Sequence, residues 1–182
     1  MSINTLFLFP TEAEAASFRT LCPEAAVAII GVGMAEAAAG IAVQMVACGP
    51  ERVVLCGIAG ACDDRLSVGQ VVEVVHDSVE GLPESYSVDY QTEPSTDLQP
   101  VRTLTVNHSG DALRNEEIIH GPLPVVEQME GMAVATMLHH LGFKNFIHIR
   151  AISNRVGEPF AQWRVGEAVT ALAAVVAQMY KE

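Results

Sequence analysis

The sequence has few cations. Only 10 lysines and arginines stand against 22 aspartates and glutamates, which gives the 182 residues a net charge of −12. Binding to nucleic acid or to an anionic membrane requires clustered positive charge. No apolar run reaches the ~20 residues that are needed to cross a bilayer. We therefore expect neither a nucleic acid nor a membrane as a partner.

The sequence also lacks a recognisable metal site and a signal peptide. The four cysteines are not spaced as a metal-ligand set, and no histidine lies near them: Cys22, Cys48, Cys56 and Cys62. The first residues, "MSINTLFLFPTEAEA", have a short apolar run, no basic start, and acidic residues directly after it. We predict reduced thiols, no metal, and a cytoplasmic protein.

Half of the residues are hydrophobic, and apolar runs alternate with helical patterns. Strands are predicted at residues 5–9, 26–33, 52–60, 68–75, 102–106, 123–129 and 146–153, and helices at 11–21, 34–49, 130–142 and 161–181. Residues 77–100, rich in proline and polar residues, are predicted to form a long loop. This alternation indicates an α/β fold. We predict one domain over residues 1–182, with a mostly parallel or mixed central sheet flanked by helices.

Polar residues and glycines follow several of the predicted strands, where open α/β sheets bind their ligands. The candidates are Glu12, Glu14, Gly33, Gly57, Gln128, Met129, Glu130, Ser153 and Asn154. Each type also has a purely structural explanation. A helix dipole favours acidic residues at a helix start, asparagine is common in turns, and glycine allows close packing. The residue types alone leave both explanations open.

Four segments, taken together and in order, resemble the purine nucleoside phosphorylase and nucleosidase superfamily. They are "GVGMAEAAAG", "VVLCGIAGACDDRLSVGQVVEV", "VEQMEGMAVA" and "IRAISN". Bacterial methylthioadenosine/S-adenosylhomocysteine nucleosidases are similar in all four segments. Futalosine hydrolases, nucleosidases of a menaquinone pathway, are more similar in "EQMEGMA", "ISN" and "RVGEPFAQW". The resemblance implies a nucleoside phosphorylase-like fold, a purine nucleoside as substrate, no cofactor, and a homo-oligomer (dimer or higher).

The resemblance also implies roles for single residues. Glu14 matches the carboxylate that activates the attacking water, with Glu12 as the alternative register. Met129 and Glu130 match a pair that holds the ribose, and Asn154 matches the residue that contacts the purine N7. The remaining candidates would line the substrate site: Gly33, Gly57, Gln128 and Ser153. Such residues suit a reaction that builds positive charge on the sugar and negative charge on the leaving base.

Two departures from the family pattern bear on the expected chemistry. Ile58 stands where relatives have serine or threonine, and the segment before "VVEQME" lacks the aromatic residue that stacks on the base. The missing ring could come from a partner subunit or from Tyr86, Tyr90 or Phe160. The sequence-based prediction is a nucleosidase that cleaves futalosine. The alternatives are an adenine-type nucleosidase, a phosphorylase, and a nucleoside-binding protein without catalysis.

Overall fold

The computed structural model describes residues 4–181 of the chain. Within this range it contains eight strands and five α-helices. The strands are β1 (Thr5–Phe9), β2 (Ala26–Ile29), β3 (Arg52–Ala61), β4 (Val71–Val79), β5 (Asp89–Gln91), β6 (Gln99–Thr105), β7 (Val125–Gln128) and β8 (Phe146–Arg155). The helices are α1 (Glu12–Leu21), α2 (Met34–Cys48), α3 (Glu116–Ile119), α4 (Gly131–His140) and α5 (Val165–Lys181).

The sheet is mixed, and part of it closes into a ring. β2, β1 and β3 pair in parallel, and β3 pairs in parallel with β8. β8 pairs antiparallel with β4, β4 in parallel with β6, β6 in parallel with β7, and β7 antiparallel with the end of β3. These pairings return to β3. The five strands β3, β8, β4, β6 and β7 therefore form a closed ring. β1 and β2 continue the sheet from β3, and β5 pairs with β4.

Two apolar layers cover the open part of the sheet. Phe7 of β1 packs with Leu172 of α5 on one side, and Leu8 packs with Ile41 of α2 and Leu138 of α4 on the other. Successive side chains of a strand point to opposite faces. Because both faces of β1 are buried, its sequence is an uninterrupted apolar run.

The inside of the ring changes from apolar to polar along its axis. Apolar residues from all five ring strands pack together at one end, including Ala59, Val72, Val101, Val126 and Ile152. Residues two positions away on the same strand faces are polar and buried: Thr103, Gln128 and Arg150. The polar end is the one at which β6 and β7 finish and α4 begins.

The α/β class, the mixed sheet and the flanking helices confirm the predicted fold class, although strand bounds differ by a few residues. The prediction of a loop over residues 77–100 is wrong at both ends and in part of its middle. β4 continues to Val79, β5 forms within the segment, and β6 begins at Gln99. The polar residues there have buried partners, since Glu73 accepts hydrogen bonds from the backbone N–H groups of Ser95 and Thr96. The extent of the domain, residues 1–182, stays a prediction.

Three further features bear on the expected class of protein. Among residues 4–181, no helix is both long and apolar enough to span a membrane. The described residues hold no group of three or more histidine, cysteine or acidic side chains that could bind a metal ion. All four cysteines are free in the structure, and burial raises the pKa of the Cys62 thiol to about 12.

Candidate active site

A cavity of about 350 Å³ lies where β1 and β7 end, beside the second half of β3 and the middle of β8. Four charged side chains line it: Glu14, Glu127, Glu130 and Arg150. The rest of the wall is mostly apolar or aromatic, including Val32, Ile58, Phe160 and Trp163. An apolar pocket with a few convergent polar groups is the usual form of a small-molecule site.

Glu14 is a buried carboxylate in the first turn of α1. Thr11 caps this helix: its hydroxyl accepts from the Glu14 N–H at 3.3 Å and donates to Glu14 Oε2 at 2.6 Å. Glu14 Oε1 accepts from the backbone N–H of Ile58 at 3.0 Å. Burial raises the pKa of Glu14, although these hydrogen bonds and the charge of Arg150 oppose the rise. The side chain is therefore a stronger proton acceptor than an exposed glutamate.

Glu130 faces the cavity from the start of α4 and is only 3% exposed. Its Oε1 accepts from the backbone N–H of Gly33, at the start of α2, at 3.0 Å. Its Oε2 accepts from Arg150 Nη2 at 3.1 Å. A buried carboxylate needs such partners, because burial without them would be costly.

Arg150 is the buried cation of the site, and it was not among the residues predicted from the sequence. It lies in the middle of β8 with its guanidinium next to both catalytic candidates. Nη1 donates to the Ile58 carbonyl at 3.2 Å, Nη2 to Glu130, and Nε to His148 Nε2 at 2.8 Å. The available signal was an arginine inside a strand that is predicted to be buried, "FIHIRAIS". A fully buried arginine is rare unless it is paired.

Gly57 leaves the space that Arg150 occupies. A Cβ atom on Gly57 would overlap Arg150 Nη1 and would lie 3.1 Å from Glu14 Oε1. The glycine therefore supports the site by packing. It does not belong to the cavity wall.

Asn154 lies behind the wall of the cavity, next to Gly60. Its Nδ2 donates to the Arg155 carbonyl at 2.8 Å, and its Oδ1 accepts from the Ser153 hydroxyl at 2.7 Å. A Cβ atom on Gly60 would lie 3.2 Å from Asn154 Nδ2. Gly60 lines the cavity, so the absence of a side chain there leaves the amide of Asn154 close to the cavity.

No protein-family model and no curated protein matches the sequence. Solved structures do match the fold. A Helicobacter pylori 5'-methylthioadenosine/S-adenosylhomocysteine nucleosidase, in complex with butyl-thio-DADMe-Immucillin-A, has a TM-score of 0.84 and 14% identity over 100% of this chain and 99% of its own. The futalosine hydrolase of H. pylori gives the same four values. A Neisseria meningitidis nucleosidase in complex with methylthio-immucillin-A has a TM-score of 0.82 and 16% identity over 98% of both chains.

The chain has the fold of these nucleosidases. At this level of identity the likeness establishes the fold alone. The nucleoside phosphorylase-like architecture that the four sequence segments implied is therefore confirmed.

In this nucleosidase fold, most of the predicted site residues gather around one cavity. Glu14, Glu130, Gln128, Met129 and Ser153 line it. Both polar atoms of the Gln128 amide are hydrogen-bonded to protein groups. A polar contact from this amide to a ligand would therefore break an existing hydrogen bond.

Four predicted residues lie outside the cavity wall: Gly57 and Asn154, described above, and Glu12 and Gly33. The side chain of Glu12 is 72% exposed and forms an ion pair with Arg19 at 3.5 Å. Gly33 uses its N–H for Glu130 and adopts a φ of +84°, which few other residues tolerate. Gly33 therefore positions Glu130, while Val32 beside it reaches the cavity.

Aromatic rings reach the cavity from the segment after β8. Phe160 and Trp163 both line it, with ring centroids 5.1 Å apart. Phe160 was one of the rings considered as a replacement for the missing aromatic. Tyr90 packs instead on Phe146, with centroids 5.5 Å apart, and Tyr86 is not among the lining residues.

Proposed function

We propose that this chain is a nucleosidase that hydrolyses the N-glycosidic bond of a purine nucleoside, and that the nucleoside is futalosine. The products would be hypoxanthine and dehypoxanthine futalosine. The observation that carries the proposal is a pair of buried carboxylates, Glu14 and Glu130, that line one cavity. Arg150 binds Glu130 directly, and it binds the carbonyl of Ile58, whose N–H holds Glu14. The fold shared with known nucleosidases supports it.

Glu14 would position and deprotonate the attacking water. A general base works best when its pKa lies close to the working pH, and burial moves the pKa of Glu14 in that direction. Ile58 and Thr11 hold the carboxylate in place. General-base assistance of this kind is worth about 10²–10⁴-fold in rate.

Glu130 would bind the ribose hydroxyls, with Met129 against the sugar. As the glycosidic bond breaks, the ribose becomes oxocarbenium-like and carries positive charge. A fixed carboxylate beside it stabilises that charge without reorganising in the transition state. The N–H of Gly33 and the guanidinium of Arg150 keep Glu130 fixed.

Asn154 would interact with the leaving base across Gly60. One N–H of its amide donates to the Arg155 carbonyl, and the second would donate to N7 of a purine. An amide cannot transfer a proton as a carboxylic acid can. A 6-oxopurine is the better leaving group and needs that proton less. This supports a hypoxanthine nucleoside over an adenine nucleoside.

Water is supported over phosphate as the nucleophile by the charges around the cavity. Three carboxylates line it, and the single guanidinium is already committed. Nε, Nη1 and Nη2 of Arg150 each donate to a protein acceptor. Ile58 also offers no hydroxyl at the exit of β3. A phosphate dianion would meet net negative charge and few donors.

The test is a nucleoside panel of futalosine, inosine, methylthioadenosine and S-adenosylhomocysteine, incubated with and without phosphate. We expect free hypoxanthine from futalosine in both conditions, detected by chromatography. Cleavage of methylthioadenosine with futalosine untouched would favour an adenine-type nucleosidase. Phosphate-dependent release with ribose 1-phosphate as product would make the protein a phosphorylase. Binding without release of base would favour a nucleoside-binding protein.

We also propose that the protein is a homo-oligomer, at least a dimer, as the family resemblance implies. Helix α2 buries only Ala37 and Ile41, while Val43 and Val46 are 62% and 91% exposed. Val32, just before this helix, is 50% exposed and lines the cavity. A second copy on this face would lie beside the site. Light scattering should give at least twice the monomer mass, and Val46→Lys should lower it.

A further inference from the structure

A buried polar cluster lies beneath the cavity, inside the polar end of the strand ring. It consists of Asp77 on β4, Thr105 on β6 and Gln128 on β7, and we call it the amide cluster. All three residues are buried, with exposed fractions of 0%, 0% and 5%. None of them has a role in the hydrolysis as described above. Buried polar groups that are fully hydrogen-bonded rigidify their surroundings.

The side-chain oxygen of Gln128 gathers three donors. Gln128 Oε1 accepts from the backbone N–H of Glu130 at 2.7 Å and from that of Gly131 at 2.6 Å. It also accepts from Arg150 Nη2 at 3.0 Å. One oxygen atom is therefore shared by the first turn of α4, which carries Glu130, and by the guanidinium that binds the carboxylate of Glu130.

The side-chain nitrogen of Gln128 faces two acceptors. Nε2 donates to Thr105 Oγ1 at 2.6 Å and lies 3.3 Å from Asp77 Oδ2. The Thr105 hydroxyl itself donates to Asp77 Oδ1 at 2.9 Å and accepts from the N–H of Met132 at 3.0 Å. Rotating the amide by half a turn would point its N–H groups at three other donors. The surroundings thus define which end of the amide is the oxygen.

We propose that Gln128 is a positioning residue: its one amide, oriented by Thr105, sets the places of both Glu130 and the Arg150 guanidinium. The inference rests on the proposed nucleosidase function and goes further. The amide cluster decides the geometry between the two catalytic carboxylates through hydrogen bonds within the protein, which use both polar atoms of the Gln128 amide.

Arg150 explains why the orientation of the Gln128 amide affects both carboxylates. Its Nη2 binds Gln128 and Glu130, and its Nη1 binds the carbonyl of Ile58. The N–H of Ile58 in turn binds Glu14. A shift of the guanidinium therefore disturbs both carboxylates. A misplacement of about 1 Å in such groups costs about 10²-fold in rate.

Two threonines on β6 provide a matched pair of variants. Thr103 and Thr105 are both fully buried, and each uses its hydroxyl in a hydrogen bond. Thr103 donates to the Val126 carbonyl and has no bond to Gln128. Thr105→Val should lower kcat for futalosine about tenfold or more, because the amide loses the acceptor that orients it. Thr103→Val should leave kcat within about twofold, because its hydroxyl binds only the Val126 carbonyl.

Two more variants make the test specific. Thr105→Ser keeps the hydroxyl and should restore kcat. Gln128→Met keeps the length of the side chain but removes all three acceptor contacts, and it should lower kcat by about 10²-fold. Equal kcat for Thr103→Val and Thr105→Val, or no rescue by serine, would overturn the inference.

A second readout does not depend on activity. The Arg150 Nε–H is buried and donates to His148 Nε2, so its NMR signal should exchange slowly with water. Arg150→Lys identifies the signal. The Arg150 Nε–H signal should shift and exchange faster with water in Gln128→Met but not in Thr103→Val. If the unmodified protein cleaves no nucleoside, the proposed function fails while this measurement still decides the positioning role. An unchanged signal in Gln128→Met would refute that role.

Discussion

Gly57→Ala is a minimal perturbation aimed at the centre of the site. The added methyl group would overlap Arg150 Nη1 and would lie 3.2 Å from Arg150 Cζ and 3.1 Å from Glu14 Oε1. Ordinary contacts between such atoms begin at about 3.5 Å. The guanidinium therefore has to move by about 1 Å. Gly57 is paired with Arg150 of β8, and the N–H of the next residue, Ile58, is bound to Glu14, so relaxation of the backbone is limited.

The displacement should weaken the contacts of Arg150 to the Ile58 carbonyl and to Glu130 together. We expect kcat/KM for futalosine to fall by about 10²-fold, which is the effect of a misplacement of about 1 Å. The loss should appear in kcat as well as in KM, because Arg150 binds Glu130 directly and is connected to Glu14 through Ile58. Steady-state kinetics with detection of released hypoxanthine measures it.

Gly166→Ala is the control for the same chemical change. Gly166 lies on α5, and a Cβ atom there meets nothing within 4 Å. Gly166 is the second residue of this helix, where the added methyl group has free space, so the variant should be about as stable as the parent and fully active. A folded Gly57→Ala protein with kcat/KM close to the parent value would refute the idea that the place of the guanidinium controls catalysis.

Three further predictions concern the carboxylates of the site, the amide of Asn154 and the buried carboxyl group of Asp77. Glu14→Gln should lower kcat by about 10²–10⁴-fold with little change in KM, whereas Glu130→Gln should also raise KM, because a charge-assisted hydrogen bond to ribose becomes a neutral one; equal KM values in the two variants would contradict these roles. Asn154→Asp should narrow or reverse the preference for futalosine over methylthioadenosine in a competition assay, and an unchanged preference would remove Asn154 from base recognition. Burial raises the pKa of Asp77 from 3.8 to about 8. Between these pH values the carboxyl group is ionised in the unfolded chain but protonated in the folded protein. The free energy of unfolding therefore falls as the pH rises through this range. Asp77→Asn lacks this ionisation, and its free energy of unfolding relative to the parent should rise by up to about 1.4 kcal/mol per pH unit from pH 5 to pH 8 in denaturant titrations.

Local patterns in the sequence were sufficient to predict much of the fold. The run "TLFLF" predicted β1, and Thr11 with its acidic neighbours predicted the start of α1, since strand burial and helix capping depend on residues that are adjacent in sequence. The same local patterns placed Glu14 and Glu130 in the segments that follow strands. Both side chains line the one cavity described here.

The tertiary structure decided what lies between those two carboxylates. Arg150 was not among the predicted site residues, and Asp77 fell in a segment predicted to be a loop. The partners that connect them to the site, Gln128, Glu130 and Thr105, are distant in sequence. The structure also shows that Glu14 faces the cavity while Glu12 is exposed on the other side of the first turn of α1.

Closure of β3, β8, β4, β6 and β7 into a ring brings Asp77, Thr105, Gln128 and Arg150 together from four different strands. Each of these residues, read alone, is a polar group that a buried strand should exclude. Their hydrogen bonds to one another make the burial possible, and those bonds exist only once the strands have paired. A pattern along the chain can indicate that a strand is buried, but the identity of its neighbours is fixed by pairing across the sheet.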